Sequence, residues 1–107
     1  MTEQKKTRRH KLEELLAKNP KDAFTLYGLA LECSNSGDFA AADTHFRALL
    51  QFNPDYVPGY QMYAQALAQN NRADDAKAVL TKGIQAANRV GNEHARSEME
   101  ALLIDLG

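Results

Sequence analysis

Two Asn-Pro pairs, Asn19-Pro20 and Asn53-Pro54, stand 34 residues apart, and each closes a run that ends in leucine or phenylalanine with helical spacing. Proline lacks an amide proton and disfavours a helical residue before it, so each pair ends a helix. A regular interval between such stops is the mark of a repeated structural unit. Between the stops, Leu26, Leu29, Ala30 and Cys33 recur at three- and four-residue steps, as one face of a helix requires. The stretch NSGD then interrupts. Gly37 suits the left-handed conformation at a helix end and Asp38 suits an N-cap. From Phe39 to Phe52 the face Ala42, Phe46, Leu49 and Leu50 predicts a second helix.

Shifting by 34 residues lays Tyr60, Tyr63, Ala64 and Leu67 on the first face and Ala76, Leu80 and Ile84 on the second. Asn70 and Asn71 fall near the position of Gly37, and asparagine tolerates turn conformations better than most residues. The same shift run backwards places Leu12, Leu15 and Leu16 under Phe46, Leu49 and Leu50, which predicts a lone helix over 3–18. A third Asn-Pro is missing. Ala87-Asn88 takes its place, so the preceding helix is expected to continue to Val90 and stop at Gly91-Asn92. A final helix over 92–106 aligns Ala95, Met99, Leu102, Leu103 and Leu106. Its other side (Glu93, Arg96, Glu100, Asp105) is wettable, as the cap of a stacked array must be, and favours a true end of the array.

This pattern resembles the tetratricopeptide repeat family. The matching residues are Leu26, Leu29, Ala30, Cys33, Gly37, Asp38, Ala42, Phe46 and Pro54, then Tyr60, Tyr63, Ala64, Leu67, Ala76, Leu80 and Gly83. Departures are Ala30 and Ala64 where the family often has glycine, Leu49 where it usually has a small residue, and the lost proline near Asn88. The resemblance implies an all-α fold, a right-handed superhelical stack of antiparallel helical hairpins with about six helices. One domain over 1–107 is expected, with a partial repeat at 3–18, full repeats at 23–56 and 57–90, and a cap at 92–106.

Composition restricts the function classes. Hydrophobic residues make up 44% and charged residues 25%, ordinary for a folded soluble chain. No apolar run reaches the roughly 20 residues of a membrane span, and the first residues are polar rather than a signal peptide. A cytoplasmic location is expected, in keeping with a single cysteine. Residues 1–22 hold seven basic and four acidic side chains, a net +3 that leaves −4 on the remainder. A basic start from Lys5 to Lys11 raises contact with nucleic acid or an acidic partner. No aromatic is interleaved for base stacking, so a solvated helix start is the preferred reading and nucleic acid is not expected.

Chemistry-bearing residues are sparse. His10, His45 and His94 lie on three different expected helices, and only His10 with Glu13 or Glu14 and His94 with Glu98 have the spacing of a metal pair. They read as exposed helix polars. Cys33 reads as a small core residue and Asp74-Asp75 as carboxylates at a helix start. None of the motifs GxGxxG, GxxxxGK[ST], GxSxG or HExxH occurs, so no enzyme, cofactor or metal is expected.

What remains is a surface. In the family the first helices of successive hairpins line a concave groove, and the resemblance carries that role to Phe24, Tyr27, Gly28, Leu31, Ser34 and Asn35, then Pro58, Gln61, Met62, Gln65 and Gln69. The set is uncharged. Members that grip the carboxylate end of chaperones use Lys and Asn there, whereas Tyr27, Leu31 and Gln65 hold those positions here, so such a clamp is not expected. Phe24, Tyr27, Leu31 and Met62 suit an apolar or amphipathic segment of an unidentified protein or peptide, with Gln61, Gln65, Gln69 and Asn35 able to bond its backbone. Two rivals stand beside this expectation. The flanking helices cover the row and make it core, or the row pairs with a second copy in a homodimer.

Overall fold

The computed structural model describes residues 7–107. Among them are six helices and no strand: α1 (Arg8–Lys18), α2 (Ala23–Asn35), α3 (Phe39–Phe52), α4 (Val57–Gln69), α5 (Ala73–Val90) and α6 (Glu93–Asp105). Each helix packs on the next, with further contact only between α2 and α4 and between α4 and α6. That neighbour-only pattern is a solenoid, and the molecule measures 51 × 28 × 19 Å.

The corners answer why Asn-Pro recurs. After α1 the amide of Asp22 donates to the Asn19 carbonyl at 3.1 Å, and after α3 the amide of Tyr56 donates to the Asn53 carbonyl at 3.0 Å. Each pair thus opens a four-residue turn, with proline at the second position where its fixed φ fits. The Asn53 side chain also donates to the Lys21 carbonyl at 3.1 Å, tying one corner to the one before it. At the third corner Ala87 has no side-chain amide to offer, and Arg89 reaches back instead, to Asp55 at 2.8 Å and to the Pro54 carbonyl at 3.2 Å.

Within hairpins the turns use one device. Gly37 has φ 84°, and the amides of Gly37 and Asp38 donate to Ser34 and Cys33 carbonyls, a Schellman closure. Asn71, at φ 63°, closes α4 in the same way on Ala68 and Leu67. Gly91, at φ 73°, ends α5 after Val90, where the missing proline left it free to run.

The core follows the two spacings read above. Leu26, Leu29, Ala30, Cys33, Ala42, Phe46 and Leu49 are buried, as are Tyr60, Tyr63, Ala64, Leu67, Ala76 and Leu80 in the second hairpin. Ala95 and Met99 bury α6, while Leu102, Leu103 and Leu106 are half-buried. Differences lie at α1. The expected start at Glu3 falls outside the described residues, and the described helix begins at Arg8, where the Thr7 hydroxyl accepts from the His10 amide. Leu12 is buried but Leu15 is 50% exposed, because the backbone of α1 comes close only to α2 among the described helices, whereas Leu49, its counterpart, is covered by α4.

Candidate functional site

On α2 and α4 the residues between the buried ones face outward. Phe24, near the start of α2, is 68% exposed; Tyr27 and Leu31 are half-buried, and Asn35 is exposed at the helix end. On α4, Gln61, Met62 and Gln65 are half-buried and Gln69 is exposed at its last turn. The core and surface faces separate because the buried set recurs at three- and four-residue steps and the outer set falls between. Asp22 starts α2, its carboxylate accepting from the Thr25 amide at 2.9 Å and the Thr25 hydroxyl at 2.7 Å. These bonds hold its carboxyl below the ordinary carboxylate range. Pro58 serves the first turn of α4, where a missing amide costs nothing.

Tyr27 gains a neighbour that the spacing did not reveal. Its ring lies 5.2 Å from that of Tyr56, tilted by 56°, and burial pushes its phenol upward. Tyr56 belongs to the corner before α4, so the corner also furnishes the surface between the two helices. Its position directly after Asn-Pro-Asp was the available signal.

Gly28 is a correction. It is buried under α1, where a Cβ would come 3.3 Å from Leu12 Cδ1, so it holds a helix rather than lining a surface. The basic start is also engaged. Arg8 pairs with Glu32 at 3.0 Å, and Arg9 pairs with Glu13 and Asp38 at 3.2 Å each. These pin α1 to α2 and to the start of α3; Lys5 and Lys6 lie outside the described residues.

At its far end the row meets α6. Gln61 Nε2 lies 3.5 Å from Glu98 Oε1, and Glu98 also pairs with His94 at 3.2 Å. Gln65 and Gln69 edge an apolar recess of about 210 Å³ formed with Ala68, Leu80, Leu102 and Leu106, with Asp105 at the rim. The last helix therefore covers part of the α4 half, α1 leaves the α2 half open, and the neutral row acquires acidic neighbours. In the sequence Leu102 and Leu106 read as packing residues, and their one-turn spacing fits that role equally.

Elsewhere, Cys33 is sealed in the core and burial raises its thiol above the usual range, which suppresses the reactive thiolate. His45 is half-buried between α3 and α1 rather than exposed, and burial lowers its imidazole. Among the described residues no group of three or more His, Cys, Asp or Glu side chains is placed to hold a metal ion, and no helix is long and apolar enough to cross a membrane.

A family model described as tetratricopeptide repeat matches residues 35–102. The solution structure of a protein from Bordetella parapertussis superposes with a TM-score of 0.80, at 24% identity, covering 95% of this chain and 89% of that one. At that identity the likeness concerns the fold. No curated protein matches the chain.

Proposed function

The chain belongs to the tetratricopeptide repeat family, whose repeats mediate protein–protein interaction, and from that premise we propose that it is a non-enzymatic module holding a partner segment along the outer row of α2 and α4. The residues that carry the contact in this reading are Phe24, Tyr27, Leu31, Asn35, Gln61, Met62, Gln65 and Gln69. What supports it is the exposure of Phe24 at 68% beside half-buried Tyr27 and Leu31, on a face where the neighbouring helix α1 does not reach. Rigid aromatic side chains in such a row give large contact area for little ordering cost, and the flexible Met62 adapts its shape to the partner. The amides of Gln61, Gln65 and Asn35 can bond an extended backbone.

Self-association is the second reading, favoured by the same exposed ring, since apolar area on a small protein also suits a second copy. Light-scattering mass against concentration, on the native chain and on a Tyr27→Glu, Met62→Glu variant, separates the two. A monomer throughout, together with display-selected peptides that bind the native chain roughly tenfold tighter than the variant, is the result expected. A native dimer that the variant dissolves, or peptides that bind both proteins equally, overturns the proposal.

A further inference from the structure

On the side of the molecule away from that row, α3 and α5 share no Cα pair within 8 Å, and α4 forms the floor of the gap between them. The cleft encloses about 380 Å³. Leu50 of α3 and Val79 of α5 form its walls, Tyr60 and Tyr63 of α4 its floor, and Arg47 and Lys82 its rim, one from each wall.

The floor is apolar despite its two phenols. Tyr60 donates to the Pro54 carbonyl at 2.7 Å and Tyr63 donates to Asp43, so both hydroxyls are engaged, and the residues are only 6% and 7% exposed. The rim is cationic. Arg47 gives its Nε to Asp43 at 3.3 Å while its side chain stays 65% exposed, and Lys82 is exposed with no ion pair or hydrogen bond among the described residues. Asp75, the other carboxylate that acts on Arg47, is already held by Arg72 at 2.9 Å. No acidic side chain lines the cleft.

We propose that this cleft is a second docking site, taking a partner protein segment in which a carboxylate side chain stands next to aliphatic ones. The aliphatic groups fill the space between Leu50 and Val79, and the carboxylate meets Lys82 and Arg47 at the rim. Charge complementarity selects this occupant over a basic one. Nucleic acid does not fit, because the tyrosine rings present no free face for a base to stack upon. The site stands independently of the row on α2 and α4.

The test uses three blocked tripeptides, Leu-Glu-Leu, Leu-Gln-Leu and Leu-Lys-Leu, titrated into the whole chain while the methyl signals of Leu50 and Val79 are followed by NMR. The expected result is a saturable shift with the glutamate peptide, weaker by roughly tenfold with glutamine and absent with lysine. Lys82→Glu, at an exposed position, is expected to lose the response while the folded spectrum is kept; the Tyr27→Glu, Met62→Glu variant is expected to keep it. Added salt weakens the glutamate response by screening. No shift at Leu50 and Val79, equal response to glutamate and glutamine, or an undiminished response in Lys82→Glu overturns the proposal.

Discussion

Gly83 and Gly28 show how one missing methyl group carries opposite meanings. A Cβ on Gly83 would fall 2.6 Å from Tyr60 Cβ and from Met99 Sδ, at the point where α5 meets α4 and α6. Tyr60 Cβ is one bond from its own backbone and cannot swing aside. Gly83→Ala is therefore expected to destabilise by overpacking, by about 1–3 kcal/mol, more than the gain of roughly 1 kcal/mol in helix propensity restores. A thermal melt followed by circular dichroism should show a clear drop in Tm. For Gly28 the neighbours are the two methyl tips of Leu12, at 3.3 and 3.4 Å, which can turn away. Gly28→Ala should leave Tm unchanged or raise it, and a fall as large as that of Gly83→Ala would contradict this packing. Gly83 was legible because it fell on a position of the repeat pattern. Gly28 fell between pattern positions, and nothing local says which of two neighbouring helices lies over it.

Helix starts divide into titrating and non-titrating kinds. Asp22 caps α2 and Asp38 caps α3, whereas Thr7 and Asn92 cap α1 and α6. The carboxyl of Asp22 is lowered by the Thr25 hydroxyl and amide, and that of Asp38 by the Ala41 amide and Arg9. A lowered folded-state pKa means that their stabilisation is complete above the unfolded carboxylate value and is lost as pH falls through the folded one. On acidification, amide protection factors, taken relative to the intrinsic exchange rate at each pH, should therefore fall first at the starts of α2 and α3, with the start of α6 protected by Asn92. A uniform fall in protection across the three starts would count against the assignment. Turn chemistry made these elements legible: Asp38 before Phe39, Gly37 and Gly91 at left-handed positions, and asparagine replacing glycine at Asn71. At α1 the Thr7 hydroxyl takes the His10 amide, a cap that the spacing of the leucines did not single out, and the expected start at Glu3 lies outside the described residues.

Across the whole molecule, the seam between hairpins is narrow. Phe46 and Tyr63 stack with centroids 5.1 Å apart, and Tyr63 donates to Asp43, joining α3 to α4. Tyr63→Ala should cost about 3–5 kcal/mol and lower the urea m-value, because the two halves would no longer unfold as one unit. Tyr63→Phe, which keeps the stacked ring, is expected to keep the m-value and lose only about 1 kcal/mol. A common m-value for both variants would place the coupling elsewhere. At this scale the stacking order of hairpins was legible in the 34-residue shift, and so was the outward row on α2 and α4. The reach of α6 over Gln61, Gln65 and Gln69 stood only as one of two rival readings, because it depends on how far α5 carries the chain before Gly91 turns it. The laced corners have a mechanical consequence. Asn53 to the Lys21 carbonyl and Arg89 to the Pro54 carbonyl fasten one margin of the stack through backbone acceptors. Among the described residues, the opposite margin carries two exposed cation contacts, Arg9 on Asp38 and Arg72 over the Phe39 ring, which salt weakens. Rising ionic strength would therefore let the helices splay like the ribs of a fan about its rivet, the corner tied by Asn53 keeping its spacing while the margin of Arg9 and Arg72 opens and the curvature of the stack changes.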